Sequence, residues 1–275
     1  EITTVLDVAT RRVLGVAIGE AENTIDVMFA LRDAIERGGM FAMFYVDNGS
    51  GFANDTVREV VDRLGGEMTH ALPYNSQARG LIERSHQSLW VRAAKKLTSF
   101  IGADMDKHAG TKVHRISRQQ LRDTGTTRLL PTHAEFMSAA EIEIEDYNNR
   151  PHRGLAKIRD PQTGAMRNMS PAEAWDAARA SGWEPMIAPP ELVCDLMRPQ
   201  IIRKTHRGEI AWDNNRYFLN ALRDFQGEEV RVAYDVRDAS RVWVRTLDGE
   251  LIGEALLDGN ASDYMPLNRV EQARE

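Results

Sequence analysis

The chain has 275 residues, enough for one large or two medium domains, and its 42% hydrophobic and 7% aromatic content supports a packed core. No apolar run approaches the ~20 residues that span a bilayer, no basic stretch leads into an apolar one at the start, and the single cysteine, Cys194, excludes internal disulfides and multi-cysteine zinc sites. The formal net charge of -6 conceals a split: residues 84–131 carry 10 Lys/Arg against 3 Asp/Glu, while the flanking blocks are acidic. A basic block of this kind can bind phosphate through counterion release. A reducing cytoplasm is the expected compartment.

Residues 2–8 and 12–18 are rich in Val, Ile, Leu and Thr and predict two strands, joined by the turn Asp7-Val8-Ala9-Thr10-Arg11-Arg12. Asn23 or Thr24 then caps a helix with an apolar stripe of Ile25, Met28, Phe29, Leu31, Ala34 and Ile35, stopped by Gly38-Gly39. A strand at 41–46 leads to Asp47. A helix over roughly 54–64 follows, and a short strand at 67–72 is broken by Pro73-Tyr74-Asn75. Residues 80–99 predict one helix in which His86, Trp90 and Leu97 read as core. Residues 100–131 are polar and basic and predict a long mobile segment with a short helix at 117–122. Thr132 caps a helix over 132–149, with Phe136, Ala139, Ala140, Ile142, Ile144 and Tyr147 inside. Ser170, Pro171 and Glu173 form the start of another. After the Pro-rich stretch 183–190, six short strand segments separated by turn residues predict a small β-barrel. The first part, with its order of strands and helices and its opening hairpin, predicts an α/β layer with a mixed sheet.

Asp47 and Glu83 carry the chemistry. Asp47 ends a strand, Glu83 lies near the start of an amphipathic helix, and 35 residues separate them. Carboxylates so placed can hold divalent metal ions, and such a site suits phosphoryl transfer on a nucleic-acid backbone. Asp-Asn-Gly is also a common turn, and a helix dipole favours a carboxylate near the N-terminus without any metal. The pair alone leaves both readings open.

Longer stretches narrow them. Leu6–Gly15, Val46-Asp47-Asn48-Gly49-Ser50-Gly51-Phe52, the run from Pro73 to His86 around Glu83, and Tyr147-Asn148-Asn149-Arg150-Pro151-His152 followed by Ser170–Trp175 resemble the integrase/transposase catalytic core of the RNase H-like fold. Asp106-Lys107-His108 and the barrel stretches 203–209 and 246–252 are similar to its Mu-type transposase branch. The resemblance implies a catalytic core over 1–185, a β-barrel over 191–262 and a tail over 263–275. It implies DNA transposition by 3′-end cleavage and strand transfer, with Asp47 and Glu83 as catalytic metal ligands. The hard oxygen donors point to a two-metal site of Mg²⁺ or Mn²⁺. Arg79, Arg84, Lys95 and Lys96, then Arg115, Arg118 and Arg122, are the expected DNA phosphate contacts. The implied partners are DNA ends and target, further copies of the chain, and an ATPase for target delivery.

In that family the first catalytic Asp lies on a strand preceding the one that opens this sequence, so the reading expects a fragment of a longer protein, inactive alone. Asp7 aligns with a turn and is not promoted to the triad. Two alternatives remain: an RNase H-like nuclease that cuts without joining, and a catalytically inactive DNA-binding or assembly module.

Overall fold

The computed structural model describes residues 1–19, 23–46, 55–70, 76–97, 107–236 and 238–260, with the backbone alone at 70, 76–79 and 107–111. The chain divides into two compact units, Glu1–Val57 with Gly65–Pro190, and Arg58–Leu64 with Glu191–Glu275.

The first unit opens with β1 (Ile2–Leu6) and β2 (Val13–Ile18), an antiparallel pair. Asp7 makes the turn between them: its carboxylate accepts from the Thr10 amide at 2.7 Å and the Thr10 hydroxyl at 2.6 Å. The side chain bonding its own downstream backbone is the Asx-turn chemistry that suits Asp to turns. Helix α1 (Thr24–Gly38) is capped by Asn23, whose side chain accepts from the Asp26 amide, and ends at Gly39 with φ 83°. Its buried face is Val27, Met28, Ala30, Leu31, Ala34 and Ile35, while Ile25 at the start of the expected stripe is exposed. The helix lies against β2 closely enough that a Cβ on Gly15 would sit 2.0 Å from the Ala30 carbonyl oxygen.

Strands β3 (Met43–Val46) and β4 (Glu67–His70) form a parallel ladder, in register from Met43↔Glu67 to Val46↔His70. Both strand orientations of a mixed α/β layer are thus present, as two ladders. Helix α2 (Asp55–Arg63) runs between β3 and β4.

The region expected as one helix over 80–99 is three pieces: α3 (Ser76–His86), a π-helical turn (Gln87–Val91) and α4 (Arg92–Ala94). Two serines explain the break locally. Ser85 Oγ donates to the Ile82 carbonyl and Ser88 Oγ to the Ser85 carbonyl, competing with the i→i−4 ladder. The Ser88 carbonyl is in turn taken by Arg150 Nη2 at 3.1 Å. Leu89 and Trp90 point inward from the π turn, and Trp90 Nε1 donates to Thr4 Oγ1 at 2.8 Å.

Instead of a short helix at 117–122, α5 runs from Lys107 to Thr124. The straight-chain Lys, Arg and Gln residues there are good helix formers, and they carry the helix without a broad apolar face. Helix α6 (His133–Asn149) starts in a reciprocal capping box of Thr132 and Glu135. It buries Ala140, Glu143, Ile144 and Tyr147, whereas Ala139 and Ile142, expected inside, face solvent. Ala140, Ile144 and Tyr147, with Val13, Leu89 and Trp90, form one core cluster of this unit. A small hairpin, β5 (Lys157–Arg159) and β6 (Met166–Asn168), precedes α7 (Pro171–Ala180), which has Ser170 and Glu173 in a second capping box. Arg167 bonds both Glu173 oxygens, at 2.7 and 2.6 Å, and Asp160 at 2.7 Å.

The second unit begins with α8 (Pro190–Met197). Arg63 donates to the carbonyls of Leu196 and Arg198, satisfying acceptors at the end of this helix. Strands β7 (Gln200–Lys204), β8 (Glu209–Trp212), β9 (Asn215–Phe218), β10 (Glu229–Tyr234), β11 (Arg241–Arg245) and β12 (Leu251–Leu257) form one antiparallel sheet ordered β7-β10-β11-β12-β9-β8. The two edge strands are consecutive in the chain and joined by the tight Arg207-Gly208 turn, so the sheet curls to a nearly closed barrel. Asp213 (φ 49°) and Asn214 (φ 60°) make the β8–β9 hairpin, where two left-handed residues match the strand twist. Ile210, Tyr217, Leu222, Val230, Val232, Val242, Val244 and Ala255 fill the interior.

Candidate functional site

Of the candidates in the first unit, Glu83 and Arg84 lie on α3, Lys95 and Lys96 follow α4, and Arg115, Arg118 and Arg122 lie on α5. Glu83 is exposed on α3, two turns beyond Ser76. The expected position near a helix N-terminus is therefore corrected, and with it the dipole explanation, because that effect fades within the first turn. Asp47 follows the buried Val46 of β3 and lies outside the described residues. Among the described residues no cluster of three or more His, Cys, Asp and Glu could hold a metal.

Arg84 is exposed next to Glu83, and its guanidinium folds back over the preceding turn. A Cβ on Gly80 would meet Arg84 Nη1 at 3.2 Å. The Arg79 side chain lies outside the described ones. Lys95 and Lys96 are exposed on the turn after α4, and Lys96 is ion-paired with Glu143 of α6. Asp146, one turn further along α6, pairs with Arg92 at 3.3 Å and Arg150 at 3.6 Å. Acidic residues of α6 thus hold cations of the neighbouring helical segment in place. Arg115, Arg118 and Arg122 are all exposed along α5, at three- and four-residue spacing on one helix face. His86, read as core, is partly buried, and burial pushes its pKa down.

A second group comes together that spacing did not mark. Arg11, in the β1–β2 turn, has φ 64° and a buried Nη1 without a hydrogen-bond partner among the described residues. Tyr147, only 3% exposed, has a hydroxyl in the same state. Burial pushes the Tyr147 pKa up and Arg11 works against that rise. His152, just past the end of α6, packs edge-on to Tyr147 with ring centroids 6.2 Å apart. Burial, then Arg11 and Arg84, hold its pKa below the usual histidine range. In the sequence all three residues lay within stretches tied to the family resemblance, Arg11 in Leu6–Gly15 and Tyr147 and His152 in the ending with Arg-Pro-His, with nothing to bring them together.

In the second unit, Arg198 lies 3.4 Å from the Trp243 ring centroid and pairs with Asp195 at 2.9 Å. It is a structural cation, held within the barrel's own packing.

Residues 195–254, from α8 into β12, match the family model "Mu transposase, C-terminal". This segment is similar to a Mu transposase C-terminal domain. The Mu-type resemblance read from the sequence is borne out there, and the matched segment takes in most of the six-stranded barrel. No curated protein matches the sequence. Among solved structures, the catalytic core domain of BIV integrase is similar at 16% identity, over 66% of this chain and 90% of that one, with a TM-score of 0.40. The simian T-cell lymphotropic virus intasome in complex with PP2A regulatory subunit B56 gamma is similar at 13% identity, over 94% of this chain and 70% of that one, with a TM-score of 0.39. Likenesses this distant bear on neither residue roles nor activity. Among the described residues no helix is long and apolar enough to cross a membrane.

Proposed function

We propose that the protein is a DNA transposase of the Mu type, with an RNase H-like catalytic core in which Asp47 and Glu83 hold divalent metal. The observation that carries this reading is the Mu transposase C-terminal domain at 195–254. It follows, in one chain, an α/β unit with a carboxylate directly after a strand and another on an exposed helix position. The donor chemistry fits: Glu83 is a solvent-facing hard oxygen ligand with no ion pair to a described residue, and Asp47 is of the same type. Such donors suit Mg²⁺ or Mn²⁺ over zinc. When bound, metals of this class favour formation of an attacking oxyanion and stabilise the leaving oxygen.

The reaction is two displacements at phosphorus. Water attacks at the element end, the P–O3′ bond breaks and a 3′-OH is released. That 3′-OH then attacks a target phosphodiester, whose own 3′ oxygen leaves, so each bond made replaces one broken. Arg84, Lys95 and Lys96 beside the catalytic helix, with Arg79, contact the phosphates of the reacting strand. Arg115, Arg118 and Arg122 extend the same contact along α5. They position DNA without reading its sequence. Active assemblies hold more than one copy of the chain on DNA.

The test is a product assay with the full-length protein, an element-end duplex, a target plasmid and Mg²⁺ or Mn²⁺. Joined products that disappear with Asp47→Asn support the transposase. Cleavage without joining identifies a nuclease instead, and DNA binding with neither identifies a non-catalytic module.

A further inference from the structure

We infer that Arg11, Tyr147 and His152 form a phosphate-binding site, built at the meeting of the β1–β2 turn and the end of α6.

The groups present donors to one another's neighbourhood. His152 Nδ1 accepts from the Gly154 amide at 3.1 Å, so the neutral ring carries its proton on Nε2 and is a donor there. Arg11 and Arg84 bring two guanidinium groups within electrostatic reach of that ring. Tyr147 adds a buried hydroxyl with no hydrogen-bond partner among the described residues, and buried Arg11 Nη1 has none there either. Two orphaned buried polar atoms in one cluster call for a partner, since buried polar groups are nearly always hydrogen-bonded. The charged groups that do find acceptors turn away. Arg150, over the Tyr147 ring at 5.8 Å, is engaged by Asp146 and the Ser88 carbonyl. Guanidinium groups beside an imidazole N–H and a hydroxyl match a tetrahedral oxyanion with several acceptor oxygens.

The backbone points the same way. Arg11 holds a left-handed φ that few non-glycine residues adopt, in a turn whose Asp7–Arg12 and Arg11–Asp7 backbone bonds fix it. A glycine would suit that turn better, so the side chain is kept at a cost, which is the pattern of functional positions. Gly154 makes room for the cluster: a Cβ there would meet the His152 ring at 3.3 Å and stand 3.9 Å from Arg11 Nε.

Arg84, which follows Glu83 in α3, is within electrostatic reach of the His152 ring, so a phosphate bound at this cluster would lie in reach of the helix that carries Glu83. Identifying the anion as a DNA phosphate rests on the proposed function; the anion site itself does not.

The test uses the full-length protein and two probes. First, the imidazole nitrogens of His152 are followed by NMR at constant pH as inorganic phosphate is added, against sodium chloride of equal ionic strength. A saturable shift is expected in the wild type and is lost in Arg11→Gly, a variant that suits the positive φ and removes the side chain. It is retained in Arg179→Ala, a change at the exposed end of α7. No saturable shift, or the same shift in Arg11→Gly, overturns the site. Tyr147→Phe, which keeps the packing and removes the hydroxyl, is expected to weaken phosphate binding as well; unchanged binding there removes Tyr147 from the site. Second, a short DNA duplex is titrated over a range of salt. Arg11→Gly is expected to weaken binding severalfold and lower the salt slope by about 1. Phosphate binding with unaltered duplex affinity means that the site takes free phosphate and not the backbone. Phosphate binding with no duplex binding at all leaves the site standing and defeats the transposase reading, whereas duplex binding without phosphate binding does the reverse.

Discussion

Gly15→Ala tests how the first unit is assembled. Gly15 lies on β2 under α1, and a Cβ there would sit 2.0 Å from the Ala30 carbonyl oxygen, 2.7 Å from the Ala34 amide nitrogen and 2.9 Å from Ala34 Cβ. Two of these neighbours are backbone of a regular helix and cannot rotate away. Restoring ordinary contact requires the helix to retreat by about an ångström, and a gap of that size forfeits a quarter to a half of the dispersion energy along the contact. Val27, Leu31, Ala34 and Ile35 are fully or nearly fully buried on that face and would all lose packing together. Overpacking of this kind costs typically about 1–3 kcal/mol, and the rigid backbone obstacle places Gly15→Ala at the upper end, about 3 kcal/mol. The assay is urea denaturation followed by circular dichroism, with hydrogen exchange reporting β1, β2 and α1 separately. A loss below about 1 kcal/mol, with unchanged exchange on β1, β2 and α1, would refute the close approach of α1 to β2.

Other consequences are of different kinds. Ser170→Ala removes the acceptor for the Glu173 amide at 3.2 Å and is expected to cost about 1 kcal/mol, with Ser170→Asp restoring it in the same thermal melts. Arg167 holds the Glu173 carboxyl down to about 2 and Asp160 well below the usual range. Depressed carboxylates stabilise the fold above their unfolded range and lose that contribution as pH falls through the folded value. The difference in melting temperature between wild type and Arg167→Gln should therefore be constant near neutrality and shrink as pH drops from 4.5 towards about 2. These groups are half-buried and partly open to solvent, so added salt should diminish it too. Leu222→Ala empties a fully buried position of the barrel core and is expected to cost about 3 kcal/mol, read as a loss of exchange protection in β8 to β12.

Much of this architecture was legible in the sequence where local chemistry decides it. The caps at Asn23, Thr132 and Ser170 and the six barrel strands fall where turn residues and alternation place them, because each rests on a few adjacent side chains. The misses have other causes. The π turn at Gln87–Val91 follows from Ser85 and Ser88 bonding the carbonyls three residues back, with Arg150 taking the Ser88 carbonyl from 62 residues away, and periodicity of apolar residues registers neither. Helix α5 has no broad apolar stripe to mark it, and rests instead on the helix propensity of its Lys, Arg and Gln residues. Ile142 matched the period of α6 yet faces outward, because periodicity fixes a stripe and not its edges. At the candidate site, the chemistry of Glu83 and the basic α5 face could be read directly. The meeting of Arg11, Tyr147 and His152 could not, since it joins residues more than a hundred positions apart through the packing of α6 on β2.

The central claim is that a carboxylate on α3 takes part in phosphoryl transfer on DNA. It is tested most directly by comparing Glu83→Gln with wild type in a strand-transfer assay on the full-length protein with Mn²⁺, with duplex binding measured in parallel. The account predicts that wild type joins the element end to target DNA. Glu83→Gln, an exposed and nearly isosteric change, should bind the duplex as well as wild type and yield no joined product. Joined product at wild-type level from Glu83→Gln would contradict it.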